Sequence, residues 1–159
     1  MAPEGDRRAV ARVDVGAIER NCRGLHRGLA DGAQLCAVVK ADGYGHGAIP
    51  AARAALAGGA STLAVAASAE AAELRGELPD ARILTMGALS ASELEQAIRA
   101  GSEITVWRRG FAEAVSALGS SLGVRPRVHV KYDTGMGRLG ESDPQEVLDV
   151  VRVVAADAT

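Results

Sequence analysis

Arg127-Val128-His129-Val130-Lys131-Tyr132-Asp133 is the stretch whose alternation decides the fold, because it reads as a strand with two unlike faces. Side chains alternate along a strand, so Arg127, His129, Lys131 and Asp133 point one way and Val128, Val130 and Tyr132 the other. Only one face is apolar. A doubly wound parallel sheet is covered by helices on both sides and needs two apolar faces. A barrel carries its helices outside and can place polar residues within, near its upper mouth. The alternation therefore leans toward a barrel with Val128 and Val130 under the helices, with an open five-stranded doubly wound sheet as the competing architecture.

Working outward, short apolar runs at 35–40, 62–66, 82–86 and 104–107 alternate with helical patterns. Asp14 caps a helix in which Val15, Ile18, Cys22, Leu25 and Leu29 recur at three- and four-residue steps, ended by Gly32. An alanine-rich helix comes next over about 48–57, with Pro50 tolerable in its first turn and Gly58-Gly59 closing it. Ser68 opens a helix that runs to Gly76. Ser90 with Glu93 forms a capping box for the next, which reaches Ala100 and is stopped by Gly101. Another covers about 110–118, and Asp143-Pro144 starts a last helix whose Val147, Leu148, Val151 and Val154 share a face. A further short strand is expected at 9–13.

Successive strands begin about 20 to 28 residues apart, the spacing of β/α units, and parallel neighbours need crossovers of that length. Five such units are present. An eight-unit barrel takes about 250 residues, so the fold class is α/β, a (β/α)8 TIM-type barrel present as an incomplete barrel of about five units. Residues 9–159 form that N-terminal part, and 1–8 are expected to be a disordered tail.

With 159 residues the chain reads as one domain. Hydrophobic residues make up 48% and charged residues 24%, which favours an ordinary globular core over disorder or a membrane span. Aromatics are only 3%, so Ala, Val, Leu and Ile must build that core. A net charge of -2, with no basic block interleaved with aromatics, argues against a nucleic-acid partner. No secretory signal is legible, which makes the cytoplasm the expected compartment. The two cysteines, Cys22 and Cys36, lack metal-site spacing and read as small buried hydrophobes, so no metal is expected.

Two stretches could carry chemistry. Lys40 ends the strand 35–40, where a parallel β/α protein keeps its reacting groups, and Gly43, Gly45 and Gly47 come directly after it. A strand-end lysine can simply reach out to solvent. One held partly out of water can instead supply the neutral amine that an aldehyde cofactor requires. The glycines permit positive φ, and the helix after them offers N–H groups that favour an anion. Tyr44 could donate to a phosphate or lid the loop, and His46 reads as structural. The second stretch is Lys131-Tyr132-Asp133-Thr134-Gly135-Met136-Gly137-Arg138-Leu139-Gly140. Lys131 near Arg138 puts two cations together, which calls for an anion between them, Asp133 being one candidate.

Val39-Lys40-Ala41-Asp42-Gly43-Tyr44-Gly45-His46-Gly47 resembles, without a break, the pyridoxal-phosphate attachment signature of bacterial alanine racemases. The 131–140 segment is similar to a second motif of that family, and Val13-Asp14 with Ile18 and Asn21 resembles its N-terminal opening. The similarity runs from about Ala9 onward and covers the first part of the family's usual length.

The resemblance implies an eight-stranded barrel followed by a mainly β domain, acting as a cytoplasmic homodimer that interconverts L- and D-alanine for cell-wall precursor supply. Lys40 would bind pyridoxal 5'-phosphate covalently and serve as one of two acid/base groups. Tyr44 would bind the cofactor phosphate, and Arg138 would contact its phenolic oxygen and the substrate. Lys131 would be carbamylated, turning a cation into the anion that positions Arg138. The family's other base is a tyrosine of the C-terminal domain, reaching across the dimer, and no residue here corresponds to it. The chain is therefore expected to be a fragment that does not racemise usefully alone. The alternatives are a non-catalytic cofactor-binding module and an inactive truncation product.

Overall fold

The structure, a computed structural model, describes residues 9–156, so the tail expected at 1–8 lies outside the described residues. In chain order the elements are α1 (Val15–Arg27), β1 (Leu35–Val38), α2 (Lys40–Gly45), α3 (Ala48–Ala57), β2 (Ala60–Val65) and α4 (Ser68–Glu77). Then come β3 (Ile83–Thr85), α5 (Ala91–Arg99), β4 (Glu103–Val106), α6 (Arg109–Ser121), β5 (Val128–Val130) and α7 (Pro144–Ala156). Short polar side chains start several of these helices. Asp14 accepts the Ala17 N–H at 3.0 Å, and Asp143 the Gln145 N–H at 2.7 Å. At Ser90 the reciprocal box forms, with Glu93 accepting the Ser90 N–H at 2.8 Å.

The five strands form one sheet in the order β1-β2-β3-β4-β5, every pair parallel. A doubly wound sheet reverses its order partway, and this one does not. The helices also cover one face only. Leu63, Val65, Ile83, Ile104 and Val106 are fully enclosed beneath them. Two apolar clusters fill the space between sheet and helices, one built on Ala52, Ala55, Ala71 and Leu74, the other on Leu94, Ala97, Val115 and Val150. Val128 and Val130 pack into the second. These are the features of an incomplete β/α barrel, with its interior on the uncovered face.

That inner face carries polar groups beside Val38, Ala64 and Leu84, and one buried carboxylate organises its charges. Register sets Glu103 of β4 beside Leu84 of β3 and puts Thr105 beside His129 of β5. Glu103 is 4% exposed. It accepts from Arg82 through Nε and, at 3.1 Å, Nη2, and His129 Nε2 lies 2.6 Å away. Arg127 stands 3.7 Å off. A carboxylate can be buried in this way because cations on both neighbouring strands meet it. Burial pushes the Glu103 carboxyl up, but the hydrogen bonds from Arg82 and His129 outweigh it and hold the group below its ordinary 4.5.

Several expectations are corrected. Residues 9–13 form no strand: two valines give too small an apolar face to hold an edge strand, and Val10 and Val13 are exposed. Helix α1 stops at Arg27 with Gly28 as its cap, before Gly32. Ser68 opens α4 as expected, its hydroxyl bonding Gln96 at 2.7 Å, but the helix runs one residue past Gly76 to Glu77. On α7 the packed side chains are Val150, Val153 and Val154, leaving Leu148 and Val151 exposed, because α6 and β5 meet the helix one position round from the expected stripe. Cys36 is exposed, since its parity places it on the uncovered inner face.

Because Glu103 ionises more readily in the folded chain, its stabilisation is present above the ordinary carboxylate range and is lost as pH falls through the folded value. Glu103→Gln is therefore expected to be less stable than the parent at neutral pH, with the gap narrowing toward about pH 4. Urea unfolding at both pH values measures this, and a gap independent of pH would contradict the assignment.

Candidate active site

β1 delivers Lys40, half-buried, to the carboxyl end of the sheet. The chain then makes a turn of unusual hand. Ala41, Asp42, Gly43 and Tyr44 have φ of 52, 53, 61 and 57°, one turn of left-handed helix. Gly45 and Gly47 continue at positive φ, as their sequence predicts, but three residues with a Cβ share the conformation. Each such residue costs roughly 1–2 kcal/mol there, so the turn must be held by its surroundings. The Gly43 N–H donates to the Val39 carbonyl and the Gly47 N–H to the Asp42 carbonyl, both at 2.9 Å. Glu70 accepts the Ala41 N–H at 2.6 Å, and Asp42 the Ala48 N–H at 2.8 Å. Space is tight at 43, where a Cβ would lie 3.2 Å from that of Ala51.

The Asp42 contact corrects one expectation. The first N–H of α3 is not free as expected, because the chain's own Asp42 carboxylate accepts it. His46 is structural as read, with Nδ1 3.0 Å from the Gly43 carbonyl.

At the end of β5, half-buried Lys131 continues the ladder, its N–H donating to the Val106 carbonyl at 2.8 Å. Asp133 accepts the N–H groups of Gly135 at 3.1 Å and of Met136 and Gly137 at 2.8 Å. The Gly135 N–H foremost, then those of Gly137 and Met136, hold its carboxyl below the ordinary range, with Lys131 adding to the effect. This carboxylate therefore braces the loop. Among the described residues it forms no ion pair with Lys131 or Arg138, which corrects its reading as the anion between them.

Lys40, Lys131 and Arg138 nevertheless meet in one cavity of about 500 Å³, shared with Ala66, Gly87, Thr105, His129 and Tyr132. Lys40 and Lys131 are the only lysines in the sequence. Residues of β1's end and β5's end can share a cavity because the sheet curls; laid flat, the two strands would stand roughly 19 Å apart. Among the described residues no carboxylate lines the space. Two amines and a guanidinium facing one cavity suit an anionic ligand, and an amine at its rim suits an aldehyde. Close approach of β2 and β3 forms part of the wall, since a Cβ on Gly87 would lie 2.1 Å from the Ala66 carbonyl oxygen. Tyr44 lies to one side: it is 59% exposed, its ring centre is 6.0 Å from Lys40 Nζ, and it lines a separate hollow with Val38 and Gly43. Glu70 and Asp42, which hold the Lys40 turn, were not singled out from sequence. For Glu70 no capping signal was available, because the N-cap three residues before it is Ala67, which has no side-chain acceptor. Among the described residues no group of three or more His, Cys, Asp or Glu is arranged for a metal ion.

The family model described as "Alanine racemase, N-terminal domain" matches residues 13–158. An alanine racemase of Desulforamulus reducens is 39% identical over 92% of this chain and 40% of its own length. That of Mycolicibacterium smegmatis is 45% identical over 91% and 38%. Among solved structures, alanine racemase from Streptomyces coelicolor A3(2) superposes with a TM-score of 0.84 at 37% identity, covering 92% of this chain and 39% of its own. The chain thus spans about two fifths of the length of the relatives it matches.

If the left-handed turn is the strained part of this site, Gly43→Ala is expected to destabilise the chain by about 1–2 kcal/mol, from the φ penalty alone. Thermal or urea unfolding measures it. An unchanged midpoint would show that the turn adopts another conformation in solution.

Proposed function

The chain belongs to the alanine racemase family, and from that premise we propose that it holds pyridoxal 5'-phosphate at Lys40 and contributes one face of an alanine-racemising site. The observation that carries this reading is the convergence of Lys40, Lys131 and Arg138 on a cavity lined by no carboxylate among the described residues. The cavity's donors fit the group's aldehyde end, with an amine for the aldehyde and a guanidinium for the phenolic oxygen; Tyr44, which lies outside this cavity, is assigned to the phosphate by family resemblance alone. When bound, the cofactor supplies a conjugated ring that disperses the negative charge left when an α-carbon loses its proton.

The chain's own residues do the rest. Lys40 Nζ takes and returns the α-proton on one face, held in place by the left-handed turn beneath it. Arg138 orients the substrate and the cofactor oxygen. Lys131, as a neutral amine, adds to carbon dioxide and releases a proton, becoming a carbamate. That change replaces a like-charge contact with an attraction to Arg138. The opposite face needs a second proton-transfer group, and we assign it to no residue of this chain. In the whole protein we place this site in a cytoplasmic homodimer that makes D-alanine for cell-wall precursors.

With pyridoxal 5'-phosphate and alanine in D2O, the chain is expected to incorporate deuterium at the α-carbon faster than it loses optical activity. Lys40→Ala is expected to abolish the incorporation. NMR and polarimetry on both enantiomers measure this. Inversion as fast as exchange would contradict the one-face assignment, and exchange surviving in Lys40→Ala would contradict the role of the lysine.

A further inference from the structure

The ladder between β1 and β2 stops one rung early, at the residue that matters. Register pairs Val38 with Ala64, and the Val39 N–H donates to the Ala64 carbonyl at 2.9 Å. A parallel ladder would continue with Lys40 beside Ala66, the Ala66 N–H donating to the Val39 carbonyl and the Ala41 N–H to the Ala66 carbonyl. Neither bond forms. The Ala41 N–H donates to Glu70 Oε1 at 2.6 Å, and the Ala66 and Ala67 N–H groups donate to Oε2 at 2.8 and 3.0 Å. One carboxylate thus replaces both hydrogen bonds of the missing rung. The Val39 carbonyl, released from the ladder, accepts the Gly43 N–H that closes the left-handed turn.

We propose that Glu70 is a positioning residue for Lys40: a wedge between the ends of β1 and β2 that splays the strands, permits the left-handed turn and sets the lysine at the cavity. The proposal rests on the reading of Lys40 as the cofactor-binding lysine. Burial pushes the Glu70 carboxyl up, yet the three backbone donors outweigh it and hold the group below its ordinary range. No other side chain matches the group in both length and acceptor capacity. Alanine leaves three donors without their acceptor. Aspartate is too short to span both strands, and glutamine offers one acceptor oxygen with an NH2 turned toward donors.

The test is borohydride trapping of pyridoxal 5'-phosphate on the 159-residue chain, with mass spectrometry to tell Lys40 from Lys131 and circular dichroism to report the folded fraction. We expect the parent chain to trap at Lys40. Trapping in Glu70→Ala should be slowed roughly tenfold or more, and in Glu70→Gln by less, at equal folded fraction. Parent-like trapping in both variants, or a loss that only tracks unfolding, would overturn the role of Glu70 and leave that of Lys40 intact. Should Glu70→Ala fail to fold, folded Glu70→Gln decides on the same criterion. Absence of trapping at Lys40 in the parent would overturn the reading on which the proposal rests.

Discussion

Five parallel strands whose helices all lie on one side must sort their side chains by parity, and nearly everything else in this chain depends on that constraint. Every second residue goes under the helices, where Leu63, Val65, Ile83, Ile104 and Val106 lose all contact with water. Full burial of one such side chain is worth about 1.5–3 kcal/mol, so a slip of register by one residue is costly across the whole sheet. The alternate residues are thereby fixed on the inner face. Glu103 and His129 land beside each other there, and Lys40 and Lys131 reach the same end of the sheet.

The inner face is also where the charges sit, and its two ends differ in kind. At the amino end of the strands, Glu103, the first residue of β4, is met by Arg82, Arg127 and His129. At the carboxyl end, Lys40, Lys131 and Arg138 share a cavity that no carboxylate lines among the described residues, while Asp42, Glu70 and Asp133 nearby are engaged by backbone N–H groups. These acidic residues stabilise the loops that present the cations. The positive charge of the cavity is left to an incoming anion, an arrangement that gives up some stability for binding.

Much of this was legible in the sequence. The Val128/Val130 against His129/Lys131 alternation pointed to a one-sided sheet, Ser90 and Glu93 marked their helix start, and the place of Lys40 at a strand end pointed to the end of the sheet where it shares a cavity with Lys131 and Arg138. The hidden features depended on partners far along the chain. Nothing local says that Ala41, Asp42 and Tyr44 adopt positive φ, because the stabilising contacts come from Glu70 and from the first turn of α3. The packed face of α7 was likewise set by α6 and β5, and not by the helix's own periodicity, in which Leu148 and Val151 look as apolar as Val150. The cysteine at 36 was misread for a related reason: its neighbours are apolar, but its parity is that of Lys40.

The central claim is that Lys40 is the amine that takes the cofactor, within a cavity completed by Lys131 and Arg138. A crystal structure of the chain grown with pyridoxal 5'-phosphate tests it most directly. The account predicts continuous density from Lys40 Nζ into the cavity, with Arg138 against the ligand. Ligand density joined to Lys131 instead, or a Lys40 side chain turned to solvent beside a cavity without ligand, would contradict it.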